Sequence, residues 1–177
     1  LWCFNPLWQK DQVELLNELL ENKFQTLIIG VFGIDNSKAL VKKGLDILKN
    51  RGKDGSGIFH KKNNCIGHCL HSVVGFVKQP IVNKGILVSN CEIYNWKELN
   101  LNARNDSELI LKLLEKNNIK DVLSKLDGVY SFAYWIKDDL YLARDIIGVK
   151  PLWYTHTDGF AFASEKKALE KLGYIDI

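Results

Sequence analysis

The chain has 177 residues, 46% of them hydrophobic, with 24 basic and 21 acidic side chains and a formal net charge of +3. That length suffices for one domain with a buried core. So slight a positive excess, with no basic run interleaved with aromatics, argues against nucleic acid or an anionic membrane as a partner.

No apolar run approaches the roughly 20 residues of a membrane span, and no basic-then-apolar leader opens the chain. The four cysteines suit a reducing cytoplasm better than a disulfide scaffold. With no Met and Leu1 first, the chain is not expected to start at its native initiator.

Residues 1–25 read as an amphipathic arm. Asp11 and Glu14 have capping-box spacing, and Val13, Leu16, Leu20 and Phe24 recur on one helical face behind the apolar Trp2, Phe4, Leu7 and Trp8. Such an arm packs on its own domain or docks on a partner, and packing is the expectation. A second unit is expected over 26–177.

That unit opens with a strand at 26–34 and a helix at about 36–50. The glycine-rich loop RGKDGSG follows at 51–57; it succeeds a helix and lacks the GxxxxGK[ST] order, so it is not read as a phosphate cradle. Strands are expected near 57–60, 65–74 and 85–90, then helices at 106–117 and 119–126. VYSFAYWI, LYLARDII, PLWYTHT and GFAFASE read as four further strands between turn residues. A last helix, Lys166 to Leu172, should stop at Gly173. Strands at both ends with helices between do not form a βαβ series. They predict an α+β fold of antiparallel sheets stacked face to face with helices outside.

Four metal-competent side chains crowd Cys65-Ile-Gly-His68-Cys69-Leu-His71. Strand alternation puts Cys65, Cys69 and His71 on one face and His68 on the other, so small buried cysteines are expected and no metal site. The carboxylates Glu92, Glu98, Asp106 and Glu108 suggest a two-carboxylate glycosidase only weakly. Asp106 can instead cap its helix, with Glu108 favoured in the first turn.

RGKDGSGIF, GHCLHSVV, SNCEIYN, NDSELI, LDGVYSFAYW, LARDIIGVKPLWY and FASEKKAL occur in that order. Together they resemble the glutaminase domain of class II glutamine amidotransferases, most of all the asparagine synthetase type, over about residues 26–170. The resemblance implies an N-terminal-nucleophile hydrolase fold, a four-layer αββα sandwich. It also implies a terminal cysteine that attacks the glutamine amide with its own α-amine as base. An Asn side chain and the next backbone N–H hold the oxyanion. No cofactor is implied; the implied partners are glutamine or another amino acid and an ATP-dependent synthetase that receives the ammonia.

Carried onto this chain, the resemblance makes Asn90 the oxyanion residue and Cys91 the oxyanion backbone position. Glu92 and Asp106 become the acids that hold the α-ammonium. The nucleophile position, counted from Gly30, falls on Thr26, with 25 residues before it. The arginine expected for the α-carboxylate falls on Leu70, which removes a strong paired contact. At Cys91 the family has Gly, so its side chain is expected to crowd the oxyanion site. Arg144 and Asp145 read as a structural pair. The expectation is a degenerate, non-hydrolysing or weakly active glutaminase-like module. Its rivals are a Thr26 hydrolase released by loss of residues 1–25 and the glutaminase-like subunit of a separate synthetase.

Overall fold

The first described strand, β1 (Leu27–Phe32), is buried at all six positions. Its run LIIGVF is continuous because it is the central strand of a sheet covered on both faces. The computed structural model describes residues 26–49, 55–70, 77–99 and 102–177. The arm, Arg51 to Asp54 and His71 lie outside them.

β1 lies between β3 (Asn64–Leu70) and β9 (Phe160–Ala163), all antiparallel. With β2 (Gly55–Lys61) and β8 (Trp153–Thr155) they form a five-stranded sheet in the order β2-β3-β1-β9-β8. A four-stranded sheet runs β4-β5-β6-β7, from Ile81–Val82 through Ile86–Ile93 and Gly128–Ile136 to Asp139–Arg144. Alternation then sorts the side chains. Leu27, Ile29, Val31, Cys65 and Cys69 pack under α1 (Ser37–Leu48) and α4 (Lys166–Leu172). Leu87, Ile93, Tyr130 and Phe132 pack under α2 (Asp106–Leu114) and its neighbour α3 (Ile119–Leu123). Between the sheets lie Ile28, Phe32, Ile66, Val88, Ala133, Trp135 and Phe162. The result is the four-layer αββα sandwich expected from the sequence.

Gly30 belongs to this inner layer. A Cβ there would lie 2.3 Å from Phe162 Cε1, so the Phe162 ring fills the space a side chain would need. Gly173 ends α4 with φ 102°, the left-handed stop expected of it.

Three local expectations change. Asn105, not Asp106, caps α2: its backbone is extended and its Oδ1 accepts the Glu108 N–H at 2.9 Å. A cap of this kind is worth about 1 kcal/mol and leaves the Asp106 carboxylate to other partners. The strand expected through Ile147 stops at Arg144, because Asp145 draws in the N–H groups of Val149 (2.9 Å) and Lys150 (3.1 Å) and turns the chain. The short strand β4 carries too little pattern to be read from sequence. Among the described residues, no helix is long and apolar enough to cross a membrane.

Candidate active site

Alternation along β5 separates the adjacent residues Asn90 and Cys91. Val88 faces the inner layer, so Asn90, two residues on, faces it too. Leu87 and Ile93 face α2, and Cys91 packs with them. Asn90 is buried, and its Nδ2 makes no hydrogen bond in the structure. Such a donor keeps a site for an oxygen at a desolvation cost the fold bears. Ser131, directly opposite on β6, is also buried with its hydroxyl unpartnered.

The Cys91 thiol meets the Ser107 hydroxyl at 3.4 Å. Burial pushes it far above the ordinary thiol range, and the nearby Asp106 charge pushes the same way. A thiol so placed stays protonated and is a poor nucleophile. The Cys91 sulfur lies against the Asp106 carboxylate, one of the two acids expected to hold an α-ammonium, as well as against Ser107. The side chain leaves the Asn90 face and fills the seam under α2.

Gln79 completes that seam. Its carboxamide accepts the Ser89 N–H at 2.7 Å and donates to the Ser89 carbonyl at 3.2 Å and to Ser107 Oγ at 3.3 Å. Sequence reading missed Gln79, because a lone amide in a loop carries no pattern. Ser107 sits inside NDSE, where its place beside Asp106 was a usable signal.

Asp106 lies at the first turn of α2, beside the end of β5. It accepts the Ser107 N–H at 2.8 Å and the Ile93 N–H at 3.4 Å. Burial raises its carboxyl above the usual range, against the pull of those two N–H groups. Glu92 is exposed and carries its charge outward to Lys150, with Nζ to Oε1 2.5 Å. Its carboxylate is thus already engaged by an ammonium of the chain itself. Glu108 is held by Arg104 and Lys112, and Glu98 lies exposed in the turn after β5.

Thr26 precedes β1. Continuing the alternation of Ile28 and Phe32 by one step places it on the inner side, and β1 packs against β5 across that layer. Leu70 ends β3 opposite Gly55. His68 faces inward, opposite Ile28, with neither ring nitrogen hydrogen-bonded. Burial lowers its pKa to about 3, so the imidazole is neutral. Arg144 and Asp145 do not pair. Asp145 turns its carboxylate to the backbone N–H groups of Val149, Lys150 and Tyr130. Although burial alone would raise it, those donors hold its carboxyl below the usual range.

Most of the chain is similar to known proteins. A family model described as "Glutamine amidotransferase domain" matches residues 26–176. Asparagine synthetase [glutamine-hydrolyzing] 1 of Bacillus subtilis is 32% identical over 151 residues, 76% of this chain and 24% of that protein. Asparagine synthetase B [glutamine-hydrolyzing] of Escherichia coli is 32% identical over 163 residues, 80% of this chain and 29% of that protein. The chain thus spans less than a third of these relatives. Among solved structures, glutamine phosphoribosylpyrophosphate amidotransferase from B. subtilis superposes with a TM-score of 0.77 at 21% identity, covering 85% of this chain and 44% of the other. That likeness concerns the fold.

Proposed function

For a chain that belongs to the glutamine amidotransferase family, we propose a glutaminase-like domain of the asparagine synthetase type that binds an amino acid but hydrolyses glutamine poorly or not at all. One observation carries this reading. None of the described cysteines shares a face with Asn90: Cys65 and Cys69 face α1, and Cys91 faces α2. The nucleophile position itself holds Thr26, whose hydroxyl is harder to ionise than a thiol. Support for residual binding comes from the unpartnered Asn90 amide, suited to a carbonyl oxygen, and from the Asp106 carboxylate, suited to an α-ammonium.

The test is intact mass before and after incubation with an electrophilic glutamine analogue, together with an ammonia assay on glutamine. The expected result is no adduct and no ammonia above background. Ammonia release at ordinary enzymatic turnover, on the order of 1–1000 per second, overturns the reading.

A second reading keeps the chemistry and uses Thr26 after cleavage between Gln25 and Thr26. Its support is the alternation of β1: carried back one step from Ile28, it turns Thr26 toward the layer that Asn90 faces. A mature protein whose mass still includes residues 1–25 rules it out. In either case the synthetases among the relatives suggest the partner, an ATP-dependent synthetase to which the domain contributes.

A further inference from the structure

We propose that the apolar end of the sandwich displayed by Ile146, Ile147, Val149 and Tyr94 is the docking surface of the chain's own segment 1–25. Ile146 and Ile147 are 102% and 88% exposed, and Val149 and Tyr94 are each more than half exposed. Among the described residues, no other four-residue stretch exposes three large aliphatic side chains. The loop is held in place as well. The Asp145 carbonyl accepts the Gly148 N–H at 3.0 Å, and its carboxylate accepts those of Val149 (2.9 Å) and Lys150 (3.1 Å). A contiguous apolar display fixed by the fold marks an interaction site, because a preformed surface loses little entropy when it is covered. Tyr94, in the turn after β5, extends it. Partial burial and then the charges of Glu92, Asp127 and Asp145 raise its hydroxyl, which puts the ring within reach of the same turn.

Place, reach and chemistry name the occupant. Ile29, Ala163 and Trp153 are partners in one row across β1, β9 and β8. From that row β1 runs back to Thr26 and β8 runs back, in the same direction, to the loop at 145–149, so both stand at one end of the sandwich. They are two strands and one layer apart, about 10 Å in each direction. A helix over residues 11–24 is about 21 Å long, enough to lie across the loop from its anchor at Thr26. Val13, Leu16, Leu20 and Phe24 recur at helical spacing and, with Trp2, Phe4, Leu7 and Trp8, call for an apolar partner. The segment carries two basic and four acidic side chains, net −2, so the chain's +3 leaves +5 on the rest, which attracts it.

Ile146 to Val149 lie past Arg144, the last residue in the row of Asn90, Ser131 and Arg144. The docked segment therefore stands beside the candidate site, and it buries apolar surface whether or not that site binds an amino acid.

Limited trypsin digestion of the purified full chain, read by mass at the bonds after Lys10 and Lys23, tests it. A docked segment is cut only in its open fraction, so Ile147→Asp should speed both cuts by about fivefold or more. Leu16→Asp with Leu20→Asp should do the same from the other side of the contact, and the three changes together should add nothing further. Ile175→Asp, equally exposed but beyond Gly173 in the C-terminal tail, should leave the rates unchanged. Ile147 is almost wholly exposed, so its variant is expected to fold, and an unchanged urea midpoint checks this. Equal rates in parent and Ile147→Asp, or a further rise in the triple variant, overturns the proposal. So does protection that fades on dilution, which would make a second copy the occupant.

Discussion

The thiol of Cys91 and the hydroxyl of Ser107 meet at 3.4 Å on the helix side of β5, with the strand between them and the layer that receives Asn90. Two adjacent residues of one motif thus serve opposite faces of a sheet. Cys91 packs under α2, beside Ser107 and Asp106, while Asn90 faces the layer between the sheets.

That placement makes Cys91 chemically quiet. Native protein at about pH 8 is expected to leave Cys91 unalkylated by iodoacetamide, while urea-unfolded protein labels it readily. Peptide mass mapping reads this site by site. Labelling of native Cys91 at the unfolded rate would show the thiol to be accessible. Cys91→Gly, which removes the buried sulfur and puts a flexible residue in a strand, should cost about 1–2 kcal/mol in urea denaturation and bring no ammonia release.

Asp106 tells function from stability. Its folded pKa lies above the unfolded one, chiefly through burial. Below both values the group is neutral in both states and contributes nothing; as pH rises through the folded value, ionisation disfavours the fold. Asp106→Asn should therefore be at least as stable as the parent at neutral pH, with the gap closing below about pH 4. Urea midpoints at the two pH values decide it. A variant less stable at both would make the carboxylate a structural group.

His68 gives the opposite slope. Its folded pKa of about 3 is well below its ordinary 6.5, by burial. Below the ordinary value the unfolded chain takes up a proton that the folded chain refuses, so stability present above that value is lost as pH falls toward the folded one. The loss is about 1.4 kcal/mol per pH unit, or about 2 kcal/mol between pH 7 and 5. His68→Gln should flatten that part of the acid slope. Identical slopes for parent and variant would refute it.

Gln79 ties the loop before β4 to β5 and α2 through one carboxamide. Gln79→Leu removes the acceptor for a buried Ser89 N–H and should cost about 2–3 kcal/mol, read from the urea midpoint. A cost under about 0.5 kcal/mol would mean that another acceptor replaces it.

Much of the fold was legible because its elements advertise themselves locally. β1 shows as an uninterrupted apolar run, α4 ends at the glycine that stops it, and the strands from Gly128 onward are bounded by turn residues. Strand ends were less legible. The end of β7 depends on where the Asp145 carboxylate finds its donors, and those lie four and five residues ahead in a loop. The cap of α2 was misplaced by one residue, since Asn105 and Asp106 are both good capping types and only backbone geometry chooses.

The sequence alone determined the family and the order of layers, and it marked Thr26, Leu70, Asn90, Cys91, Glu92 and Asp106 as the candidate site positions. Residue types at fixed spacing suffice for these. Only the tertiary structure decided that Cys91 turns away from Asn90 while packing against Ser107, that Glu92 is engaged by Lys150 across 58 positions, and that Arg144 is left without Asp145. Each of these depends on which element covers a given face. That follows from how two sheets and their helices bury their apolar sides together, and no single stretch of the chain contains it.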